Sequence, residues 1–258
     1  MSLRNKVVWI TGASSGIGAL TAKYISEAGG IPILAARSEA KLREAAQGIT
    51  GPHECVVLDV TDNEQIHMVL EGILERHGRV DVLINNAGFG LFKTAMDLTL
   101  QEFEEMMDVN YMGVVRCTKA VLPSMLARGE GHIVNIASIA GKIGTPKSTA
   151  YSASKHAVLG FTNSLRMELA QSGVTISAIN PGPIDTPFFD KADPSGQYVN
   201  NVRWFIMPPE RVAKKIVSVI EKGRTEADLP GLASFGVKLM QLFPRLSSGV
   251  AAKVLNKK

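Results

Sequence analysis

Two residues of this sequence have the types and spacing for proton transfer. Tyr151 and Lys155 stand four residues apart in the segment YSASK. On a helix, side chains at this spacing lie on one face, one turn from each other. An ammonium group placed there favours the phenolate, so it lowers the pKa of the tyrosine from about 10 and makes it a general acid and base. The alternative is a surface tyrosine beside a solvated lysine.

A glycine-rich turn follows the first apolar segment of the chain. Residues 6–11 (KVVWIT) are typical of a buried parallel strand, and residues 11–18 (TGASSGIG) begin a helix directly after it. This order makes an anion site, because the backbone can approach a pyrophosphate and the helix dipole favours its charge. No Lys-Ser/Thr pair follows, so the turn is not a P-loop. It predicts a dinucleotide site, with an ordinary tight βα connection as the alternative.

The end of the second predicted strand, residues 31–35, indicates which dinucleotide is bound. Dinucleotide-binding folds commonly place an acid about 20 residues beyond the glycine turn, where it holds the ribose hydroxyls. Here that position is Ala36, followed by Arg37 and Ser38. A guanidinium with an adjacent hydroxyl suits a 2′-phosphate, so we expect NADP(H) rather than NAD(H). The alternative is a solvated arginine at the start of the next helix.

Helices and strands then alternate, with helices predicted over residues 39–48 and 63–77 and strands over 54–59 and 81–84. This alternation predicts right-handed βαβ units in a parallel sheet with helices on both faces. Asp59 and Val60 end the third strand, and the segment NNAG (residues 85–88) ends the fourth. Small residues and an amide at this edge fit a ligand lying across it. Plain turn chemistry is the alternative for both segments.

Five motifs together resemble the short-chain dehydrogenase/reductase family: TGASSGIG, Asp59-Val60, NNAG, YSASK and Pro181-Gly182. They occur in unbroken order over about residues 5–230. The resemblance implies a Rossmann-type, doubly wound α/β fold with a seven-stranded, mostly parallel sheet in the order 3-2-1-4-5-6-7 and helices on both faces. It implies one dinucleotide-binding and catalytic domain, residues 1–230, with a substrate lid at about 183–207.

The resemblance also implies site residues. The catalytic set is Asn110, Ser138, Tyr151 and Lys155. Ser138, thirteen residues before Tyr151, and Tyr151 itself contact the substrate oxygen; Lys155 also binds the nicotinamide ribose, and Asn110 holds a water that relays protons to it. Taken singly, Asn110 fits a helix cap and Ser138 a turn. The predicted cofactor-binding residues are Gly12, Ser14, Ser15, Gly16, Ile17, Gly18, Arg37, Ser38, Asp59, Val60, Asn86, Ala87, Gly88, Tyr151, Lys155, Pro181, Gly182, Ile184 and Thr186.

Further elements complete the predicted fold. Helices are expected over residues 110–128, 150–171 and 209–221, and strands over 132–137, 174–180 and 226–229. Residues 187–207 are apolar, aromatic and without a regular pattern, and a loop this long within a compact domain is usually functional. We therefore expect a substrate lid there. The family resemblance implies that the Ile184 amide and the Thr186 hydroxyl, just before this segment, fix the nicotinamide carboxamide. A loop pinned to the core by its aromatic residues is the alternative.

Composition and charge bear on partners and location. The formal charge is +4, and residues 229–258 contain five basic and no acidic residues. No basic stripe with interleaved aromatic residues and no zinc-ligand spacing occurs, so we expect neither nucleic-acid binding nor a metal. No apolar run of 18 residues, no signal peptide and only two cysteines are present, which favours a cytoplasmic location.

Residues 231–258 form a basic, apolar extension with helical spacing. It is expected to dock on its own or a neighbouring subunit, or to lie on an anionic membrane surface as a peripheral contact. The family resemblance implies a homodimer or homotetramer built on the helices near residues 110–128 and 150–171.

The predicted activity is reversible hydride transfer between the nicotinamide of NADP(H) and a small-molecule carbonyl compound or secondary alcohol. The apolar lid favours a hydrophobic ketone or aldehyde. A small polar hydroxy acid or sugar-like alcohol remains an alternative, since Lys191 or Arg203 offers a cationic anchor. A non-enzymatic, cofactor-sensing or scaffolding protein on the same fold is the alternative of a different class.

Overall fold

The structure is a computed structural model, and it describes residues 2–231. Its described residues form one sheet of seven strands: β1 (Val7–Thr11), β2 (Ile31–Ala36), β3 (Glu54–Val57), β4 (Val82–Asn85), β5 (Gly131–Ile136), β6 (Val174–Pro181) and β7 (Glu226–Leu229). The strand order is β3-β2-β1-β4-β5-β6-β7, and every neighbouring pair is parallel. The predicted fold class and strand order are therefore confirmed.

The helices of the described chain are α1 (Gly16–Glu27), α2 (Glu39–Ala46), α3 (Asn63–His77), α4 (Leu100–Met107), α5 (Gly113–Arg128), α6 (Thr149–Glu168), α7 (Phe188–Ala192), α8 (Gln197–Val202) and α9 (Pro209–Lys222). They cover both faces of the sheet because alternate strand residues point to opposite sides. On β1, Val8 and Ile10 pack with residues of α1 and α9. Val7 and Trp9 pack with residues of α3, α5 and α6. Buried on both sides, the central strands hold their carboxyl ends in fixed positions.

The structure corrects the predicted helix at residues 110–128. The chain is already helical from Leu100, where Thr99 and Glu102 form a capping box at the start of α4. A π-helical turn, Asp108–Met112, then joins α4 to α5. Asn110 lies within this turn, so the prediction that it stands at a helix start was wrong. A π-helical turn inserts an extra residue into a helix and is frequent at functional sites.

The predicted irregular segment at residues 187–207 contains short helices instead. It consists of α7, α8 and a 3₁₀ turn at Arg203–Phe205. The Phe92 amide, in the loop after β4, donates to the Ala192 carbonyl at 2.8 Å and ties α7 to that loop. No helix within residues 2–231 is long and apolar enough to cross a membrane. The predicted C-terminal extension lies outside the described residues, apart from Gly231.

Candidate active site

A cavity of about 1940 Å³ lies over the carboxyl ends of the strands. It exceeds the volume of roughly 300–1,000 Å³ that a single small ligand usually occupies, so it has room for a dinucleotide and a substrate together. Every residue predicted for the cofactor, together with Ser138, Tyr151 and Lys155, lines this cavity. Asn110 is the one predicted site residue that does not. The described residues contain no cluster of His, Cys, Asp and Glu that would hold a metal ion.

The glycine turn packs so closely that side chains would not fit. Gly12 has a φ of +65°, and a Cβ there would lie 2.7 Å from the Ala87 Cα. A Cβ on Gly18 would lie 2.5 Å from the Gly12 carbonyl oxygen. Helix α1 starts beside this turn, and its N-cap residue, Ser15, makes no side-chain hydrogen bond to the helix. The first amides of α1 thus lack a side-chain acceptor, which fits a pyrophosphate.

Thr11 and Asn86 hold this turn against the end of β4. The Asn86 side-chain amide donates to the carbonyls of Thr11 at 3.0 Å and Gly12 at 2.9 Å. The Thr11 hydroxyl accepts from the amides of Asn86 at 3.0 Å and Ala87 at 3.1 Å. The Asn86 amide predicted to face a ligand therefore positions the glycine turn. Thr11 was missed as a positioning residue, although a threonine ending a buried strand beside a glycine was visible in the sequence.

Basic residues lie at the end of the cavity beside β2. Arg37 and Ser38 follow that strand, and Lys41 is a third lining residue that sequence reasoning missed. The Ser38 hydroxyl caps α2 by accepting from the Lys41 amide at 3.4 Å. Arg37 and Lys41 form no salt bridge with any described residue, so both charges remain open to a ligand. Two cations beside a helix N-terminus favour a bound anion.

Other residues of the cavity wall are held in place by hydrogen bonds. The Asp59 carboxylate accepts from the Thr61 amide at 2.9 Å and hydroxyl at 2.8 Å, beyond the end of β3. The Gly182 amide donates to the Leu229 carbonyl at 2.7 Å, which fixes the start of the predicted lid to β7. The Thr186 hydroxyl donates to the Ile184 carbonyl at 3.5 Å. These bonds place residues 182–186 along the cavity wall, where a Cβ on Gly16 of the glycine turn would lie 3.3 Å from the Thr186 Cγ2.

Asn110 stabilises the floor of the site from beneath. Fully buried, it donates from Nδ2 to the Phe89 carbonyl at 2.8 Å and to the Ser154 hydroxyl at 3.0 Å. Its Oδ1 accepts from the Phe89 amide at 2.9 Å. Asn110 thus connects the loop after β4 to α6, the helix of Tyr151 and Lys155. Its predicted role in proton relay stays a prediction.

The first turns of α6 bring Tyr151 and Lys155 to Ser138, which follows β5. The Ser138 hydroxyl accepts from the Ala140 amide at 3.0 Å and donates to the Pro181 carbonyl at 3.3 Å. The Lys155 Nζ donates to the Ile136 carbonyl at 2.8 Å and lies 5.8 Å from the centre of the Tyr151 ring. The helical spacing has therefore placed both side chains on one face, toward the cavity.

The predicted lowering of the Tyr151 pKa is wrong for the protein alone. The surrounding protein atoms displace water and raise the pKa of Tyr151 to about 12, while a hydrogen bond with Ser138 opposes this shift. Burial also lowers the pKa of Lys155 to about 8. Loss of hydration dominates both shifts, and the Lys155 ammonium donates its hydrogen bond to the Ile136 carbonyl. At neutral pH, Tyr151 is thus a protonated hydroxyl.

Aromatic rings form the wall beside Tyr151. The Phe188 ring of α7 lies 5.7 Å from the Tyr151 ring, and the Phe92 ring lies 6.0 Å from it, measured between centres. Phe92 also contacts Phe189 at 6.2 Å and Tyr198 of α8 at 4.6 Å. Sequence reasoning placed the lid aromatics here but missed Phe92, whose contacts connect residues distant in the sequence. The wall beside the Tyr151 hydroxyl is thus aromatic.

Comparison with known proteins identifies the family of this chain. Residues 6–196, about three quarters of the chain, match the family model for short chain dehydrogenase. The chain belongs to the short-chain dehydrogenase family. It is accordingly an oxidoreductase of short-chain dehydrogenase type. An uncharacterized oxidoreductase of Staphylococcus saprophyticus is 42% identical to it over 197 residues, which are 75% of this chain and 84% of the relative.

Solved structures of other short-chain dehydrogenases share the fold over most of the chain. A short chain dehydrogenase/reductase of Burkholderia phymatum, in complex with NAD, is 26% identical, with a TM-score of 0.87 and coverage of 96% of both chains. A variant of the actinorhodin polyketide ketoreductase, with NADPH, is 32% identical, with a TM-score of 0.79 and coverage of 87% of this chain and 95% of that chain. Both nicotinamide cofactors thus occur among structures similar to this chain.

Proposed function

We propose that this protein is an NADP(H)-dependent oxidoreductase that interconverts a hydrophobic ketone or aldehyde and its alcohol. The observation that carries the proposal is the meeting of Ser138, Tyr151 and Lys155 in one cavity, between the glycine turn and an aromatic wall. The glycine turn supplies a dinucleotide site, and the aromatic wall supplies an apolar surface for a substrate. Their junction holds a protonated hydroxyl, which is the group that carbonyl reduction requires.

The residues present fit a nicotinamide dinucleotide. When bound, that cofactor supplies or accepts the hydride. The close-packed turn at Gly12 and the uncapped amides of α1 suit its pyrophosphate. Lys155 would hold the nicotinamide ribose, and Ile184 and Thr186 the carboxamide. Arg37 and Lys41 favour a 2′-phosphate, with no acid at Ala36 to bind free ribose hydroxyls.

Three side chains divide the proton chemistry. Tyr151, protonated at neutral pH because its pKa is about 12, donates to the carbonyl oxygen as charge develops on it. Ser138 donates a hydrogen bond to the same oxygen and stabilises that charge. Lys155, charged below its pKa of about 8, then stabilises the tyrosine phenolate that remains. The same groups act in reverse for alcohol oxidation.

The test is NADPH consumption against ketones graded in apolar size, with Tyr151→Phe beside the wild type. We expect turnover to rise with apolar size and to fall by at least about 100-fold in Tyr151→Phe, with NADPH affinity retained. Tyr111→Phe is the matched control, because Tyr111 packs on Phe161 and does not line the cavity. Turnover near the wild-type value in Tyr151→Phe would refute the assignment of the acid.

The same assay separates the enzyme from the cofactor-sensing alternative. A sensor binds NADPH without saturable turnover, and its ligand response survives Tyr151→Phe. The joint presence of Asn110, Ser138, Tyr151 and Lys155 favours the enzyme, since a sensor has no need for a proton donor beside its cofactor.

A further inference from the structure

One cation of the cavity has no part in the proposed reaction. Lys191 lies on α7, and its Nζ is 3.9 Å from the centre of the Phe89 ring. Both residues line the cavity. Phe89 is held in place because Asn110 bonds both its amide and its carbonyl. The ammonium of Lys191 thus rests on a fixed aromatic surface at the boundary between lid and floor.

The charge of Lys191 is not neutralised by the described part of the chain, where it forms no ion pair. The acids that line the cavity are Asp59, Glu105 and Asp108. Asp108 is paired with Arg116 at 2.6 Å, and Asp59 accepts from Thr61. A cation over an aromatic face keeps its N–H donors available, because the ring attracts its charge without accepting strong hydrogen bonds. Lys191 is therefore able to bind an anion.

An aromatic side chain lies between Lys191 and the proton donor Tyr151. Phe188 and Lys191 are three residues apart on α7, so they lie on one face with Cβ atoms about 5–6 Å apart. The Phe188 ring is 5.7 Å from the Tyr151 ring. Phe188 therefore neighbours both Lys191 and Tyr151, so a substrate that reaches from the proton donor to the ammonium passes an aromatic side chain. The surface between them is aromatic.

We propose that Lys191 binds an anionic group of the substrate, which is a ketone or aldehyde with an apolar body between its carbonyl and a distant carboxylate-like group. This inference rests on the proposed carbonyl reduction and names the substrate class of that site. A small 2-hydroxy acid does not meet the requirement, since its carboxylate adjoins the reacting carbon. The apolar body covers the aromatic wall while the anion replaces water at the ammonium.

The experiment uses phenyl ketones that carry a terminal carboxylate on methylene chains of increasing length, each compared with its methyl ester. Lys191→Met removes the charge but keeps a long side chain that packs on the Phe89 ring. Lys191→Arg keeps the charge. Lys214→Met is the matched control, because Lys214 also lies over an aromatic ring, that of Tyr24 at 5.3 Å, but does not line the cavity.

We expect the wild type to prefer long-chain carboxylates over their esters. Lys191→Met should raise KM for those carboxylates by about tenfold and leave KM for the esters within about twofold. Lys191→Arg should restore the preference, and Lys214→Met should keep it. Equal effects of Lys191→Met on acid and ester, or a preference for carboxylates next to the carbonyl, would overturn the inference.

Failure of the proposed reaction is distinguishable from failure of this inference. If no ketone of the series is reduced by the wild type, the reaction assignment has failed. Calorimetric binding of the same acid and ester pairs in the presence of NADPH then decides the role of Lys191. Acid binding that weakens about tenfold in Lys191→Met alone supports the anchor, and acid binding unchanged in that variant refutes it.

Discussion

His132 offers a sharp test of the interior of this fold. It lies on β5, 2% exposed, with its Nε2 2.6 Å from the Ser177 hydroxyl on β6. That hydroxyl donates to the Arg224 carbonyl at 2.6 Å, so its oxygen accepts from the Nε2–H of the imidazole. Burial lowers the pKa of His132 from 6.5 to about 4. The folded protein thus holds His132 neutral at pH values where the unfolded chain charges it.

Lowering the pKa of His132 from 6.5 to about 4 is equivalent to about 3 kcal/mol of unfolding free energy. Its sign follows from proton binding: between pH 6.5 and 4 the unfolded chain binds the extra proton. The contribution of the neutral His132 to the free energy of unfolding is therefore fully present above pH 6.5 and is lost as the pH falls toward 4. About 2 kcal/mol of the loss falls between pH 7 and 5.

Urea unfolding at fixed protein concentration, from pH 7.5 to 4.5, measures this slope. His132→Gln keeps an N–H donor near Ser177 and removes the titrating group. The variant should be less stable than the wild type at pH 7. Between pH 7 and 5, however, its free energy of unfolding should fall by about 2 kcal/mol less than that of the wild type. His53→Gln, at an exposed position, controls for the loss of an imidazole. Parallel slopes for the wild type and His132→Gln would refute the assignment.

Two further predictions concern the site. Reductive turnover should fall as the pH rises through about 8, because Lys155 loses its charge there. Lys155→Met should be slow at every pH, and its turnover should show no inflection near pH 8. A profile of kcat against pH tests both expectations. Arg37→Met should raise KM for NADPH by about tenfold and leave KM for NADH unchanged, whereas Arg43→Met, which removes a salt bridge to Glu39 outside the cavity, should change neither. Equal effects on both cofactors would show that Arg37 does not contact a 2′-phosphate.

The sheet and most helices were predictable because their patterns are local. The β1 segment is buried along its whole length, and the glycine turn TGASSGIG directly after it predicts a strand followed by a helix. Helix α4 was also predictable, since Thr99 and Glu102 have capping-box spacing, but this signal was not used. The π-helical turn was not predictable, because it depends on the bonds that Asn110 makes to Phe89 and Ser154.

The parts of the site that sequence reasoning missed depend on contacts between distant segments. Phe92 contacts Tyr198 and Lys191 contacts Phe89 because residues 187–207 pack on the loop after β4, and the sequence does not reveal that packing. The pKa of Tyr151 was predicted with the wrong sign for a related reason. A spacing of four residues reveals the neighbouring ammonium, but it does not reveal how much water the remaining protein removes.

Helices α7 and α8 contribute little to the hydrophobic cores. Their buried residues, Ala192 and Val202, belong to none of the hydrophobic clusters that join the described helices to the sheet. Tyr151 and Lys155, in contrast, stand on a helix packed against β5 and β6. Substitutions on α7 and α8 should therefore change the free energy of unfolding little, while they change the shape of the aromatic wall. On the proposed function, this arrangement makes the scaffold evolvable, because substrate specificity can change through α7 and α8 while the helix that carries Tyr151 and Lys155 stays the same.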